Sequence, residues 1–221
     1  GRSSSPLGSS CTLLGDSHCH MIVSITMIGS APSLTDRKRR AMMLRVQDEA
    51  FRSAFDVGYA STTVEAIAAA ADVSPSTVYR AFGTKEGIFL WDELELPTRE
   101  LFESELLRHS PVDASIAVVQ AMGSLEFHLS EPEMRARFEF VLAEPALRSS
   151  LSEAFRLFEE DLARQFVRGG AVGPIEARIT AAATMAAMVA AIELWAGTEP
   201  ARPFSLAAHD AAASLRTVLT G

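Results

Sequence analysis

Disulfide chemistry is nearly missing from this sequence. Its 221 residues include two cysteines, Cys11 and Cys19, both in a Ser- and Gly-rich front end. No disulfide framework therefore holds a core, and a reducing compartment, the cytoplasm, is expected. Aromatic residues are sparse at 7%, and no run of β-branched residues alternates with polar ones, which removes the pattern of a half-buried strand. No stretch is expected to reach bilayer-spanning length. The nearest, from Met21 to Ile28, is short, interrupted by Ser24 and Thr26 and preceded by no basic segment, so neither a membrane partner nor a signal peptide is expected. Catalytic signatures are missing too: there is no Gly-x-Ser-x-Gly elbow, phosphate loop, dinucleotide fingerprint or metal-binding helix pair, and the carboxylates are scattered as on a solvated face. An enzyme is disfavoured, and no cofactor is expected. His18-Cys19-His20 offers nominal metal ligands, but three adjacent residues in a flexible segment do not close a tetrahedral site.

What is present points to helices. Hydrophobic residues make up 48% of the chain and alanine is abundant in its second half, so an all-α protein of one large or two small domains is expected. The net charge of -8 on its own argues against nucleic acid, but it is unevenly spread. Between Thr35 and Lys85 eight Lys/Arg face six acids, a net of +2, whereas from Glu86 onward eleven Arg face 21 acids, a net of -10. One region can approach phosphates and the other cannot.

Residues 1–33 show no sustained periodicity and are expected to form a disordered arm. The chain starts without Met, and part of the arm is expected to derive from an expression vector. A helix should begin at Thr35 or Asp36, with Arg37-Lys38-Arg39-Arg40 in its first turns and an apolar stripe of Met43, Val46, Ala50, Ala54 and Val57 ending at Gly58. Cations at a helix N-terminus oppose its dipole, which an external phosphate would explain. Thr62 or Thr63 then caps a short second helix, with Glu65 placed for a reciprocal cap. Asp72 follows at a turn position that wants a left-handed backbone. Ser74 caps a third helix with Pro75 in its first position. On it Val78 and Phe82 face inward, leaving Ser76, Thr77, Tyr79, Arg80 and the following Lys85 to face out. Two short helices joined by a tight turn and buttressed by a longer one make a helix-turn-helix unit.

The run Gly58-Tyr59-Ala60-Ser61-Thr62-Thr63-Val64-Glu65-Ala66-Ile67-Ala68-Ala69-Ala70-Ala71-Asp72-Val73-Ser74-Pro75-Ser76-Thr77-Val78-Tyr79-Arg80-Ala81-Phe82-Gly83-Thr84-Lys85-Glu86 closely resembles the DNA-binding domain of the TetR family of transcriptional regulators. The resemblance extends over roughly Arg37 to Leu90. The sequence departs from the family pattern at Asp72, where Gly is usual, at Ser76, and at Ala81, where His is frequent. The resemblance implies that Thr63, Tyr79 and Lys85 contact backbone phosphates and that Pro75, Ser76, Thr77 and Arg80 lie in the major groove. Arg80 has the only fork that matches a guanine edge, a group that equally suits a phosphate.

Beyond Glu86 the family varies. Ile88, Phe89, Trp91 and Leu94 are expected to begin a fourth helix that continues, with an irregularity at Pro97, to about His109. Further helices should lie from Asp113 to Leu129, from Glu131 to Ala143 and from Ala146 to Gly169. The resemblance implies a ligand-binding and dimerisation domain over residues 86–221, after a DNA-binding domain at 34–85. Met122, Phe127, Phe138, Phe140, Phe155 and Phe158 are candidates to line a pocket, with Gln120, Glu126, His128 or Glu139 as polar contacts. Two Ala-rich helices, from Ile175 to Ala196 and from Phe204 to Leu219, suit a four-helix dimer interface or a monomeric core. In the first of these Ala182, Met185, Met188, Val189, Ile192 and Trp195 are available for packing. The expected function is a dimeric regulator, usually a repressor, on a palindromic double-stranded DNA operator, released by an apolar or amphipathic small-molecule effector. The alternative is a helical interaction module that keeps the fold without specific DNA binding.

Overall fold

Ser33 opens the first helix. Its hydroxyl accepts the Asp36 amide proton at 3.1 Å while the Asp36 carboxylate accepts from the Ser33 amide and hydroxyl, satisfying donors that a first turn leaves free. The computed structural model describes residues 33–93, 95–170, 172–197 and 202–220. All of the expected arm except Ser33 lies outside the described residues, with Cys11, Cys19, the His18-Cys19-His20 triplet and the segment from Met21 to Ile28. So does Leu94.

Among the described residues there are ten helices and no strand. α1 (Leu34–Val57) ends at Gly58, whose φ of 83° suits only glycine. α2 (Val64–Ala70) is capped by Thr63, whose Oγ1 accepts the Ala66 amide at 3.2 Å. The other candidate, Thr62, is buried and donates its hydroxyl to the Gly58 carbonyl. With the cap on Thr63, Glu65 stands one residue short of the third helical position, so the expected reciprocal cap does not form. α3 (Pro75–Phe82) begins at Ser74 as expected.

The expected single fourth helix is instead two. α4 (Lys85–Leu90) stops where Trp91 turns extended, and α5 (Glu95–Leu106) restarts after a short break. Pro97 explains the division: in a continuous helix it would remove a backbone donor, whereas in the first turn of α5 none is needed. α6 (Pro111–Met122) is also shorter than expected, ending at Gly123 rather than at Leu129. A Cβ on Gly123 would lie 2.7 Å from the Ser205 Cα, so the chain passes against a neighbouring helix start with no room for a side chain. α7 (Glu131–Ala143), α8 (Pro145–Arg168), α9 (Pro174–Gly197) and α10 (Phe204–Thr220) follow close to their expected bounds.

α1 to α4 enclose a core of Val46, Ala50, Phe51, Ile67, Val78 and Ile88, which continues into Val141 of α7 and Leu147 of α8. α9 packs on α6, α7, α8 and α10. Contrary to expectation, α9 is long and apolar enough by composition to cross a membrane. Its alanines and methionines produce that pattern, and Ala177, Ala181, Met185 and Trp195 are buried against its neighbours, as in a core helix.

Candidate nucleic-acid interface and the cavity beside it

The turn before α3 sets the exposed surface. Asp72 takes a φ of 55°, tolerable for an Asp, and the Val73 amide reaches the Ala68 carbonyl at 3.0 Å. Arg45 of α1 donates to the Ala71 carbonyl at 3.1 Å, satisfying a free acceptor at the end of α2. Ser74 Oγ accepts the Thr77 amide at 3.2 Å and lies 2.9 Å from the hydroxyls of both Ser76 and Thr77. Val78, 1% exposed, fixes α3 to α1 and α2, a burial worth about 1.5–3 kcal/mol. On the opposite face Pro75, Ser76, Tyr79 and Arg80 are exposed and Thr77 is half-buried. Thr63 stands exposed at the start of α2.

Arg80, Lys38 and Arg39 make no ion pair among the described residues, so their charge is open to an anion. Two other cations of the basic region have partners within the protein, against expectation. Arg40 pairs with Glu93, in the break between α4 and α5, where a buried carboxylate needs a counter-charge. Lys85 is half-buried: its Nζ donates to the Tyr59 carbonyl at 2.6 Å and sits 4.0 Å above the Tyr59 ring, a cation–π arrangement. The Tyr59 hydroxyl donates to Glu86 at 2.6 Å. Burial and this bond push the Tyr59 phenol up, and the same bond holds the Glu86 carboxyl below its ordinary range. These contacts pin the start of α4 to the loop after α1.

Behind this unit lies a cavity of about 620 Å³, within the roughly 300–1,000 Å³ range of small-molecule sites. Met122, Phe127, His128, Phe138, Phe155 and Phe158 all border it. Phe140 does not. It joins the rings of Phe55 (5.3 Å), Phe51 (6.1 Å) and Phe89 (6.2 Å), because the α7 face that carries it meets α1. Gln120, Glu126 and Glu139 are outside the lining as well, the two carboxylates being solvent-exposed as unpaired charges should be. Met185, Met188, Ile192 and Trp195 of α9 also border the cavity.

Gln47, Trp91, Glu93 and Arg137 line the cavity as well, beyond the candidates expected from the sequence. Gln47 carried a signal, a polar residue in phase with the apolar stripe of α1. It is buried and donates to the Ile88 (3.0 Å) and Trp91 (2.8 Å) carbonyls, the free acceptors at the end of α4. Glu93 and Arg137 carried none. Glu93 accepts from Arg40, from the His128 amide (3.1 Å) and from His128 Nδ1 (2.7 Å). Arg137 donates to Asp48 of α1 at 2.7 Å, and His128 Nε2 lies 3.4 Å from the same carboxylate. Ion pairs thus join the rim of the cavity to α1 at two places.

A helix-turn-helix with an open polar recognition face, followed by a helical body enclosing a cavity, defines a class of DNA-binding regulators. The sequence comparisons agree. The family described as "Bacterial regulatory proteins, tetR family" matches residues 47–90, and that described as "MftR C-terminal domain" matches residues 110–220, half of the chain. The chain belongs to the TetR family and is a DNA-binding transcriptional regulator. No curated protein matches it. Similar solved structures include a TetR-family regulator from Streptomyces coelicolor A3, with 23% identity, a TM-score of 0.49 and coverage of 87% of this chain and 99% of that one. Salmonella enterica GusR shows 22% identity, a TM-score of 0.43 and coverage of 82% and 94%.

Proposed function

We propose that this regulator is a repressor that binds a palindromic operator as a homodimer and releases it when an apolar or amphipathic small molecule fills the cavity. The observation that carries the reading is that one helix, α1, serves both ends. It exposes Lys38 and Arg39 in its first turns, holds the turn before α3 through Arg45, and lends Gln47 and Phe51 to the cavity wall. Residues 34–85 would form the DNA-binding part and residues 86–221 the ligand-binding and dimerisation part, in a cytoplasmic protein. Thr63, Tyr79 and Lys85 would hold phosphates, and Pro75, Ser76, Thr77 and Arg80 would enter the major groove, with Arg80 reading a base pair. For Lys85 this requires the ammonium to be shared with the Tyr59 carbonyl.

The dimer would form through α9 and α10. Ile175 and Ile179, one turn apart on α9, are 78% and 59% exposed, and Leu206 and Val218 of α10 are 50% and 75% exposed. Apolar side chains exposed along two packed helices suit an isologous contact. Ligand and DNA would then compete because each favours a different separation of the two recognition helices.

Selection of bound sites from a random duplex pool tests the reading. The expected result is an inverted repeat with half-sites about one helical turn apart and a steep loss of affinity with salt. Recovery of no enriched sequence would overturn it and leave the interaction module.

A further inference from the structure

We propose that the small molecule taken by the cavity is an apolar acid whose carboxylate is held by Arg137. This rests on the cavity being the effector site, as inferred above. Arg137 reaches the lining from α7 with its side chain 15% exposed. Its Nη2 donates to Asp48 at 2.7 Å, and its guanidinium carbon lies 4.6 Å above the Phe51 ring. Its Nη1 is buried and has no hydrogen-bond partner among the described residues. A guanidinium stays charged and presents five donors in a fixed plane. A buried nitrogen of this kind without an acceptor is costly.

The other charged groups of the lining are engaged. Arg99 and Arg164 both lie against Asp161, and Glu93 accepts from Arg40 and His128. Arg137 borders the cavity, and its Nη1 lacks an acceptor among the described residues. Its ion-pair partner Asp48 is 37% exposed and lies within 3.4 Å of the His128 ring as well, and the other nearby carboxylate, Glu133, is bound to Ser130. A carboxylate matches the guanidinium fork better than a neutral carbonyl does, because its bonds are charge-assisted and come in pairs. The remaining wall, with Phe138, Phe155, Phe158, Met185 and Trp195, suits an apolar body.

The test is calorimetric titration of the full chain with decanoate, cyclohexylbutyrate and naphthylacetate, each beside its primary amide. At least one acid should bind, with its amide weaker by about tenfold or more. Arg137→Gln should erase that difference. Asp48→Asn, which frees Arg137 from its internal partner, should tighten the acid and leave the amide unchanged. A purely structural arginine would not give that result, and the Asp48 arm decides the matter if the Arg137 variant fails to fold. Acids and amides binding alike would overturn the carboxylate assignment and leave the cavity as an effector site. Binding of no probe at all would sink both readings.

Discussion

Replacing Glu93 by Gln keeps the shape of the side chain and removes its charge. Glu93 is 6% exposed on its side chain and takes three donors: Arg40, the His128 amide and His128 Nδ1. Hydrogen bonds to a charged acceptor contribute about 1.5–3 kcal/mol and neutral ones about 0.5–1.5. Gln retains one acceptor oxygen and turns an amide group toward one of the former donors. The Arg40 contact deserves the smaller weight, because its side chain is 53% exposed and ion pairs of that kind are worth about 0–1 kcal/mol. The two His128 contacts dominate, and together the losses come to about 2 kcal/mol. Urea unfolding should show a lower midpoint with an unchanged slope. A double-mutant cycle with Arg40→Ala should return a coupling of about 0.5 kcal/mol or more. A loss within about 0.5 kcal/mol, the range of an ordinary surface substitution, would refute the claim that Glu93 ties the α4–α5 break to α1 and to the loop before α7.

Gly123→Ala should cost about 1–3 kcal/mol in thermal melts, because its Cβ would meet the Ser205 backbone at 2.7 Å and 3.1 Å; an unchanged melting temperature would contradict that close approach. Ile179→Glu should leave the fold intact and shift sedimentation from dimer to monomer, and a monomeric parent protein would dispose of the α9–α10 interface. Arg80→Ala should weaken operator binding by about 1–3 kcal/mol and relax preference at one base pair per half-site; an unchanged sequence profile would remove Arg80 from base readout. Tyr59→Phe removes the bond that lowers the Glu86 carboxyl. A depressed folded-state value contributes stability that is complete above the unfolded value, about 4.3, and is lost as pH falls through the folded one. The variant should therefore be less stable by about 1–2 kcal/mol near neutral pH, and the gap should close in acid; a gap independent of pH would show that Glu86 is not the partner that matters.

The helix-turn-helix was legible because local chemistry dictates it. Ser74, Pro75, Asp72 and Gly58 act on their own backbone within a few residues, and the structure places the cap, the left-handed turn and the helix stop at those positions. Helix ends set by distant packing were not legible. Nothing near Gly123 announces that Ser205 will lie against it, so the helix reads on to Leu129. The same holds for charge. Arg40 belongs to a basic run, but its partner Glu93 is 53 residues away, and no spacing rule connects them. Gln47 is the intermediate case, since its phase on α1 was visible in the sequence and its two acceptors on α4 were not.

The division of labour along α1 constrains how the two ends of the molecule can communicate. Arg39 and Gln47 are separated by eight residues, about 12 Å of helix, so under the proposed ligand response a shift at the cavity wall would reach the basic end through a rigid rod rather than through a chain of side chains. That rod is fixed to the recognition unit by the Arg45–Ala71 bond and by the buried Val78. On the other side it is held to the body by Arg40–Glu93, Arg137–Asp48 and the Phe51–Phe140 contact. A ligand can bias this arrangement only through contacts that differ between its two positions. Buried aromatic packing is close to all-or-none, whereas the ion pairs are partly exposed and exchangeable. Under the proposed effector role, the Arg137–Asp48 pair is therefore the contact where occupancy would alter the hold on α1 at least cost: its arginine borders the cavity with one nitrogen unpartnered, and its aspartate is 37% exposed.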